Sequence, residues 1–235
     1  MRRGLLRFFS IIQEYLFPLF CLSCEKEGDW VCVDCFSRRI IISGVFYCPI
    51  CHMVTEGGAA CDACRHSTYI TRHTALMPYH EKAFIAELLH TIKYNFSESA
   101  FGVLDCCVTL FFKDRIDILS GIDLIVPVPL HARRFAERGF NQAEKIASHV
   151  ATCTAIPIHT GGLSRPRKTL QQALLSKSER EKNVENAFVA RPVYKGKTIL
   201  LVDDVYTTGS TMQACAKALL AAGAKEVRGF SIARG

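Results

Sequence analysis

The sequence predicts an α/β protein, a mainly parallel sheet flanked by helices, preceded by a small cysteine-rich module. Three observations predict it. From residue 74 onward, apolar β-branched runs alternate with segments of helical period, the pattern of a parallel sheet covered by helices on both faces. Eight cysteines fall into four CxxC pairs within the first 64 residues. The length of 235 residues, 49% of them hydrophobic, suffices for one full α/β domain and a smaller module.

The elements follow in chain order. Residues 1–20 are predicted to hold an amphipathic helix, with Leu5, Phe8, Phe9, Ile12, Tyr15 and Leu16 at helical spacing. The start imitates a secretion signal, but Arg7, Gln13 and Glu14 interrupt the apolar stretch. The helix is expected to pack on the rest of the protein or on a partner, with attachment to a membrane surface as the alternative. No stretch reaches the roughly 18 consecutive apolar residues of a spanning helix, so a cytoplasmic location is expected. The cysteine module occupies residues 21–66, a polar linker runs to residue 72, and the α/β domain takes residues 73–235. Within that domain a first strand is expected at 74–79. A helix follows at 81–94 with Phe84, Leu88, Leu89 and Ile92 on one face, and a second at 101–112. The run IDLIVPV at 122–128 reads as a strand, and 141–153 as a helix. Residues 161–193, rich in basic and amide side chains, read as a long functional loop or flap. The chain closes with a strand at 198–202, a helix at 210–222 stopped by Gly223, and a strand at 227–233.

The CxxC pairs are Cys21 and Cys24, Cys32 and Cys35, Cys48 and Cys51, and Cys61 and Cys64. A reducing compartment disfavours disulfides, and two such knuckles complete the tetrahedral thiolate shell of zinc. Four knuckles imply two Zn²⁺ ions. Sequential pairing is simplest, with interleaved pairing open. Thioredoxin-like redox chemistry is the competitor, but no knuckle sits between a predicted strand and helix. With four thiolates per ion no coordination position stays open, so the sites are structural and their metal is bound up with folding. Cys106, Cys107, Cys153 and Cys215 read as ordinary buried side chains in helices. The formal charge of +7 shrinks once the metal is counted: eight thiolates contribute −8 and two zinc ions +4, leaving about +3. Global basicity is therefore weak evidence for nucleic acid.

Residues 199–212 read ILLVDDVYTTGSTM. A continuous apolar run is a buried parallel strand, and ligands collect beyond the carboxyl ends of such strands. Asp203 and Asp204 stand at that end, as ionised acceptors suited to vicinal ribose hydroxyls. Thr207, Thr208, Gly209, Ser210 and Thr211 then offer backbone N–H groups and hydroxyls to an anion, backed by the dipole of the next helix. A Walker-type site fails at Gly196-Lys197-Thr198, because Arg191 stands where the first P-loop glycine belongs. Residues 126–142, VPVPLHARRFAERGFNQ, carry Arg133, Arg134 and Arg138 beyond a strand end. Helical spacing would put Arg134 and Arg138 on one face, where guanidinium groups suit phosphate or pyrophosphate.

The segment at 199–212 resembles the PRPP-binding motif of type I phosphoribosyltransferases. With the four knuckles, VPVPLHARRFAERGFNQ, Gln172 and LSKSEREKNVENAF, the chain from about Cys21 onward resembles the ComF family, competence-associated proteins with a double zinc ribbon before a type I phosphoribosyltransferase-like domain. The resemblance implies a role in DNA uptake and natural transformation or in nucleotide salvage. It implies that Asp203 and Asp204, the catalytic pair, hold the ribose of PRPP with Mg²⁺, and that Val205, Tyr206 and Thr207 to Thr211 bind its 5-phosphate. Lys93-Tyr94 match a family element expected to bind pyrophosphate. Arg133, Arg134, Arg138, Asn141 and Gln142 would line the same cleft, with Arg165, Gln172 and Arg180 from the flap. The implied activity is transfer of a phosphoribosyl group, a pentosyl transfer in which positioning and electrostatics do the catalysis. The rival reading is a non-catalytic adaptor on the same fold. It would bind single-stranded DNA, a competence helicase or another DNA-processing protein through the basic flap, the knuckles and aromatics such as Phe135, Phe140 and Phe188.

Overall fold

A computed structural model gives the architecture and describes residues 18–80, 84–94, 98–166 and 187–235. The expected N-terminal helix, apart from its last three residues, and the flap residues Arg167, Lys168, Gln172, Lys177, Arg180 and Lys182 lie outside the described residues.

The cysteine module contains a short helix α1 (Val33–Arg39) and a two-residue strand β1 (Val45–Phe46). Then come β2 (Arg72–Pro78), α2 (Phe84–Tyr94), α3 (Phe101–Lys113), β3 (Leu124–Pro127), α4 (Ala132–Arg138) and α5 (Gln142–Thr154). A small ribbon of β4 (Leu163–Ser164) and β5 (Val189–Ala190) precedes β6 (Thr198–Tyr206), α6 (Ser210–Ala221) and β7 (Glu226–Arg234). The main sheet has the order β1-β2-β7-β6-β3. Every neighbour in it is parallel except β1, which runs antiparallel to β2 with Val45 opposite Ala75. The expected parallel α/β sheet is present, and the cysteine module supplies its edge strand.

Both faces of the sheet are buried, and β6 shows how. Side chains alternate across a strand. Leu200 and Val202 enter one core with Leu88 and Ile92 of α2, Leu104 and Phe111 of α3, and Ile146 of α5. Ile199 and Leu201 enter the other with Met212, Cys215 and Leu219 of α6. An uninterrupted apolar run is what a strand covered on both sides requires.

Two boundaries depart from expectation in an informative way. The strand expected to stop at Val202 continues to Tyr206, because β7 keeps pairing with it: Asp203 lies opposite Ser231, Val205 opposite Ala233 and Tyr206 opposite Arg234. Ladder hydrogen bonds use backbone groups and are indifferent to the polarity that ended the apolar run. The segment expected to be a polar linker buries Ile70 completely and is bonded to α6, where Gln213 Nε2 donates to Thr68 Oγ1 at 2.7 Å and Gln213 Oε1 accepts from the Tyr69 N–H at 2.9 Å. Of the four cysteines expected to be buried in helices, Cys107 and Cys215 are, Cys153 is half-buried, and Cys106 is exposed.

Candidate functional site

The site lies at the carboxyl ends of β3 and β6. β3 delivers the chain through Val128 and Pro129 into α4, whose N-cap is His131: its ring Nδ1 accepts from the Arg133 N–H at 3.2 Å. Gly139, at φ 82°, ends that helix in a left-handed turn that L side chains resist. Asn141 then caps α5. Its Oδ1 accepts from the Ala143 N–H at 3.2 Å while its Nδ2 donates to Val128 O at 3.0 Å, so the RGFNQ element is pinned to the end of β3. On the β6 side, Gly209 at φ 75° is the N-cap of α6 and turns residues 207–211 into a loop over the helix N-terminus.

These elements enclose a cavity of about 380 Å³ lined by Lys93, Tyr94, Arg134, Arg138, Asn141, Gln142, Arg165, Asp203, Asp204, Val205, Thr207 and Thr211. A smaller recess adjoins it, bounded by Asp203 and residues 205–212. The acid pair, the hydroxyl loop and the basic side chains, separated in sequence by up to 118 residues, therefore face one space. Arg133 is not among the residues lining it. Its Nε donates to Glu137 Oε1 at 2.8 Å on the outer face of α4. Tyr206 borders the smaller recess but is 1% exposed, and its hydroxyl donates to Pro49 O at 2.7 Å. A third cavity of about 440 Å³ shares Pro129, Leu130, Asn141 and Arg165 with the first and is otherwise mostly apolar, with Phe135 and Leu163 in its wall.

The cavity's electrostatics follow from crowding. Lys93 Nζ lies 2.6 Å from Asp204 Oδ2. Burial works against the charged ammonium, but the Asp204 and Asp203 carboxylates overcome it and hold Lys93 above its ordinary value. Asp203 is pushed the other way, up to about 8, first by burial and then by the neighbouring charge of Asp204. Burial draws Arg138 and Arg165 down from their usual values, though a guanidinium remains protonated. Arg138 lies over the ring of Tyr94 at 5.9 Å, and Arg165 over Phe188 at 5.2 Å. Four cationic side chains against the Asp203 and Asp204 pair leave the cavity net positive and suited to a polyanion that also carries hydroxyls. Gln142, 4% exposed, brings a side-chain Nε2 with no hydrogen-bond partner among the described residues to this wall.

The eight module cysteines form two groups. Cys21, Cys24, Cys32 and Cys35 are one, and Cys48, Cys51, Cys61 and Cys64 the other, each with its sulfur atoms within 4.8 Å of one another. The sequential pairing is thus the one adopted. Across knuckles, Cys24 to Cys32 and Cys51 to Cys61 each measure 3.7 Å between sulfurs, and a tetrahedron with Zn–S of about 2.3 Å has edges of about 3.8 Å. Burial disfavours the thiolates of Cys21 and Cys48, yet knuckle N–H groups more than offset it and bring both down to about 6. Donor type, spacing and compactness all fit a structural zinc ion.

Fold and site together define a class: a phosphoribosyltransferase-type α/β protein carrying a module of two four-cysteine clusters. The family described as phosphoribosyl transferase domain matches residues 123–234. Over 218 residues the chain is 30% identical to competence protein ComFC of Streptococcus pneumoniae, covering 91% of each. It is 28% identical over 224 residues to the DNA utilization protein YhgH of Escherichia coli, covering 92% of this chain and 97% of that one. Among solved structures, a glutamine PRPP amidotransferase from B. subtilis matches at 21% identity with a TM-score of 0.38, covering 56% of this chain and 26% of that one. The chain belongs to the ComF family. Among the described residues, no helix is long and apolar enough to cross a membrane.

Sequence reasoning missed two features. Tyr79, Pro129 and Leu130 complete the cavity wall as unremarked neighbours of strand ends. Arg234 and His73, buried on adjacent strands, are part of a junction described below. The signal for the junction was available: a charged residue inside the closing run SIARG needs partners that a solvated surface position does not.

Proposed function

We propose that this protein binds Mg²⁺-PRPP in the cavity between β3 and β6, with Asp203 and Asp204 accepting the ribose hydroxyls and residues 207–211 holding the 5-phosphate. The observation that carries the reading is the convergence of that acid pair, Thr207 and Thr211 of the hydroxyl loop, and Lys93, Arg134, Arg138 and Arg165 on one cavity of about 380 Å³, with the rest of the loop bounding the adjoining recess. In this reading Arg134, Arg138 and Gln142 face the pyrophosphate, Asn141 positions them, and Lys93 balances the acid pair until Mg²⁺ and substrate arrive. Arg165, Gln172 and Arg180 belong to the segment expected to close over it. Two Zn²⁺ ions hold the module together. If turnover occurs it is phosphoribosyl transfer: the C1–O bond to pyrophosphate breaks while the bond to an acceptor forms, with basic side chains stabilising the leaving group. The protein would act in the cytoplasm in support of DNA uptake, as the names of its relatives suggest.

Calorimetry with Mg²⁺-PRPP tests the site. The wild type is expected to bind, and Asp203→Asn or Asp204→Asn to weaken binding by roughly 10- to 100-fold, the value of a hydrogen bond to a charged group. Equal affinities in all three proteins would dismiss the assignment. Release of pyrophosphate during a screen of acceptors would establish transfer.

A second reading, an adaptor for single-stranded DNA or a DNA-processing protein, draws on one observation. Phe135 is 48% exposed on α4, directly after Arg133 and Arg134 in sequence, and lines the largely apolar third cavity. An exposed aromatic ring on a helix that also carries guanidinium groups suits a stacked base and its phosphate. Binding of a fluorescent oligonucleotide should weaken with salt and with Phe135→Ala. Indifference to both would remove the adaptor reading.

A further inference from the structure

The second cysteine cluster is built into the floor of the phosphate loop. Tyr206 closes β6, one residue before Thr207, and its ring lies under the loop: a Cβ on Gly209 would meet the Tyr206 hydroxyl at 2.2 Å and its ring carbon Cζ at 2.4 Å. The same hydroxyl donates to Pro49 O at 2.7 Å, inside the Cys48-to-Cys51 knuckle. Beside it Arg234, 2% exposed, donates from Nη2 to Cys48 O at 2.6 Å and from Nη1 to Tyr47 O at 2.8 Å. The Arg234 guanidinium also stacks on Tyr206 at 4.9 Å, and the His73 ring lies 4.0 Å from that of Tyr206. Beyond the last ligand, Cys64, the chain is fastened again: Gln213, in the first turn of α6, bonds both Thr68 and Tyr69. Residues 206–213 are thus held from both flanks of one cluster. The first cluster makes no such contact among the described residues.

We propose that the second zinc site supports the phosphate loop, with Tyr206 and Arg234 as positioning residues that make the loop's shape depend on the metal held by Cys48, Cys51, Cys61 and Cys64. The metal fixes the knuckle, the knuckle carbonyls fix Tyr206 and Arg234, and Tyr206 fixes Gly209 at the start of α6. Coupling of this kind is reciprocal. An anion bound in the loop slows loss of that one metal ion and leaves the other alone. The inference rests on reading residues 207–211 as a phosphate loop only for that last consequence, because the dependence of the loop on the metal can be measured without ligand.

Hydrogen–deuterium exchange on the full zinc-loaded chain is the test. Cys51→Ser, at an exposed ligand position, should raise exchange of the amides at 207–211 at least fivefold, the lower end of typical coupling. Trp30→Phe, which removes the first cluster's bond to Ser99 and keeps every cysteine, should leave them unchanged. Tyr206→Phe keeps the ring and both zinc ions but removes the bond to Pro49, and should also raise exchange at 207–211. If Cys51→Ser does not fold, stepwise removal of zinc from the wild type with a chromogenic chelator replaces it, with exchange read after one and two equivalents. Loop exchange that ignores both the metal and Tyr206→Phe overturns the proposal. With Mg²⁺-PRPP at a concentration that calorimetry shows to be saturating, release of one of the two zinc ions should slow about fivefold in the wild type and not in Tyr206→Phe. Unchanged release despite saturation would overturn the reciprocal arm. Absence of PRPP binding would instead count against the ligand assignment, and the exchange result would still decide the coupling.

Discussion

The two cysteine clusters share a donor set and a spacing logic, yet they are mounted on the protein by different physics. Around the first, Cys21, Val31, Cys32, Cys35 and Ile40 belong to the same apolar core as Phe101, Leu104 and Phe111. A side-chain hydrogen bond from Trp30 Nε1 to Ser99 Oγ at 2.8 Å ties it to the turn that precedes α3. None of the second cluster's cysteines belongs to either apolar core, and the cluster is attached by polar bonds to the ends of β6 and β7 and to α6. Hydrophobic burial is non-directional and scales with area, whereas hydrogen bonds to a buried guanidinium or phenol fix a geometry. One cluster is positioned to stabilise, the other to align.

The largest expected difference comes from ligand loss. Cys32→Ser should cost a large part of a zinc-binding free energy of about 10 kcal/mol or more and open the shared core, so the cooperative thermal transition is expected to disappear. Cys61→Ser should lower the zinc content from two ions to one and leave a cooperative transition near that of the wild type. Indistinguishable melting curves for the two variants would erase the comparison. Next in size is Arg234→Met, which leaves the Tyr47 and Cys48 carbonyls without their charged donor. Denaturant titration should show a loss of about 3 kcal/mol, with Arg234→Lys recovering part of it. Trp30→Phe, at the first cluster, should cost about 1 kcal/mol in the same titration and leave affinity for Mg²⁺-PRPP unchanged.

The smallest effect is read in protons. In the free protein the Asp203 carboxyl is raised to about 8, so at pH 7 it is largely protonated, whereas ribose hydroxyls and Mg²⁺ require the carboxylate. Binding should therefore release a fraction of a proton below pH 8, and affinity should rise as pH goes from 6.5 to 8. Calorimetry in buffers of different ionisation enthalpy measures that release. For the free protein the sign is opposite. The raised value favours the protonated, folded form at acid pH, and this contribution fades as pH rises through about 8. Trp30→Phe should leave the proton release intact, because among the described residues the first cluster has no contact with Asp203.

Much of this was legible in the residues. The four CxxC pairs, the VDDVYTTGST run and RGFNQ are local in sequence, and each carries its chemistry in adjacent side chains whatever their surroundings. The α/β class followed from periodicity, because an apolar run such as Ile199 to Val202 has to be covered on both faces. The limits of β6 were less legible, since its final residues are held by pairing with β7 and not by their own hydrophobicity. Helical spacing grouped Arg134 with Arg138, yet the family resemblance placed Arg133 in the same cleft. Only the direction of α4 sends Arg134 and Arg138 to the cavity and Arg133 to Glu137.

The sequence by itself determined the fold class, the cysteines suited to a metal, and the residue types offered to a sugar phosphate, since these depend on side-chain chemistry at short spacing. Tertiary structure alone decided which knuckles come together, that Lys93 meets Asp204 across 111 positions, and that Tyr206 and Arg234 reach the carbonyls of residues 47–49. Those contacts join segments far apart along the chain, and their existence depends on the order in which strands enter the sheet. With β2, β7 and β6 side by side, the carboxyl ends of β6 and β7 arrive at the knuckle that β1 holds at the sheet's edge.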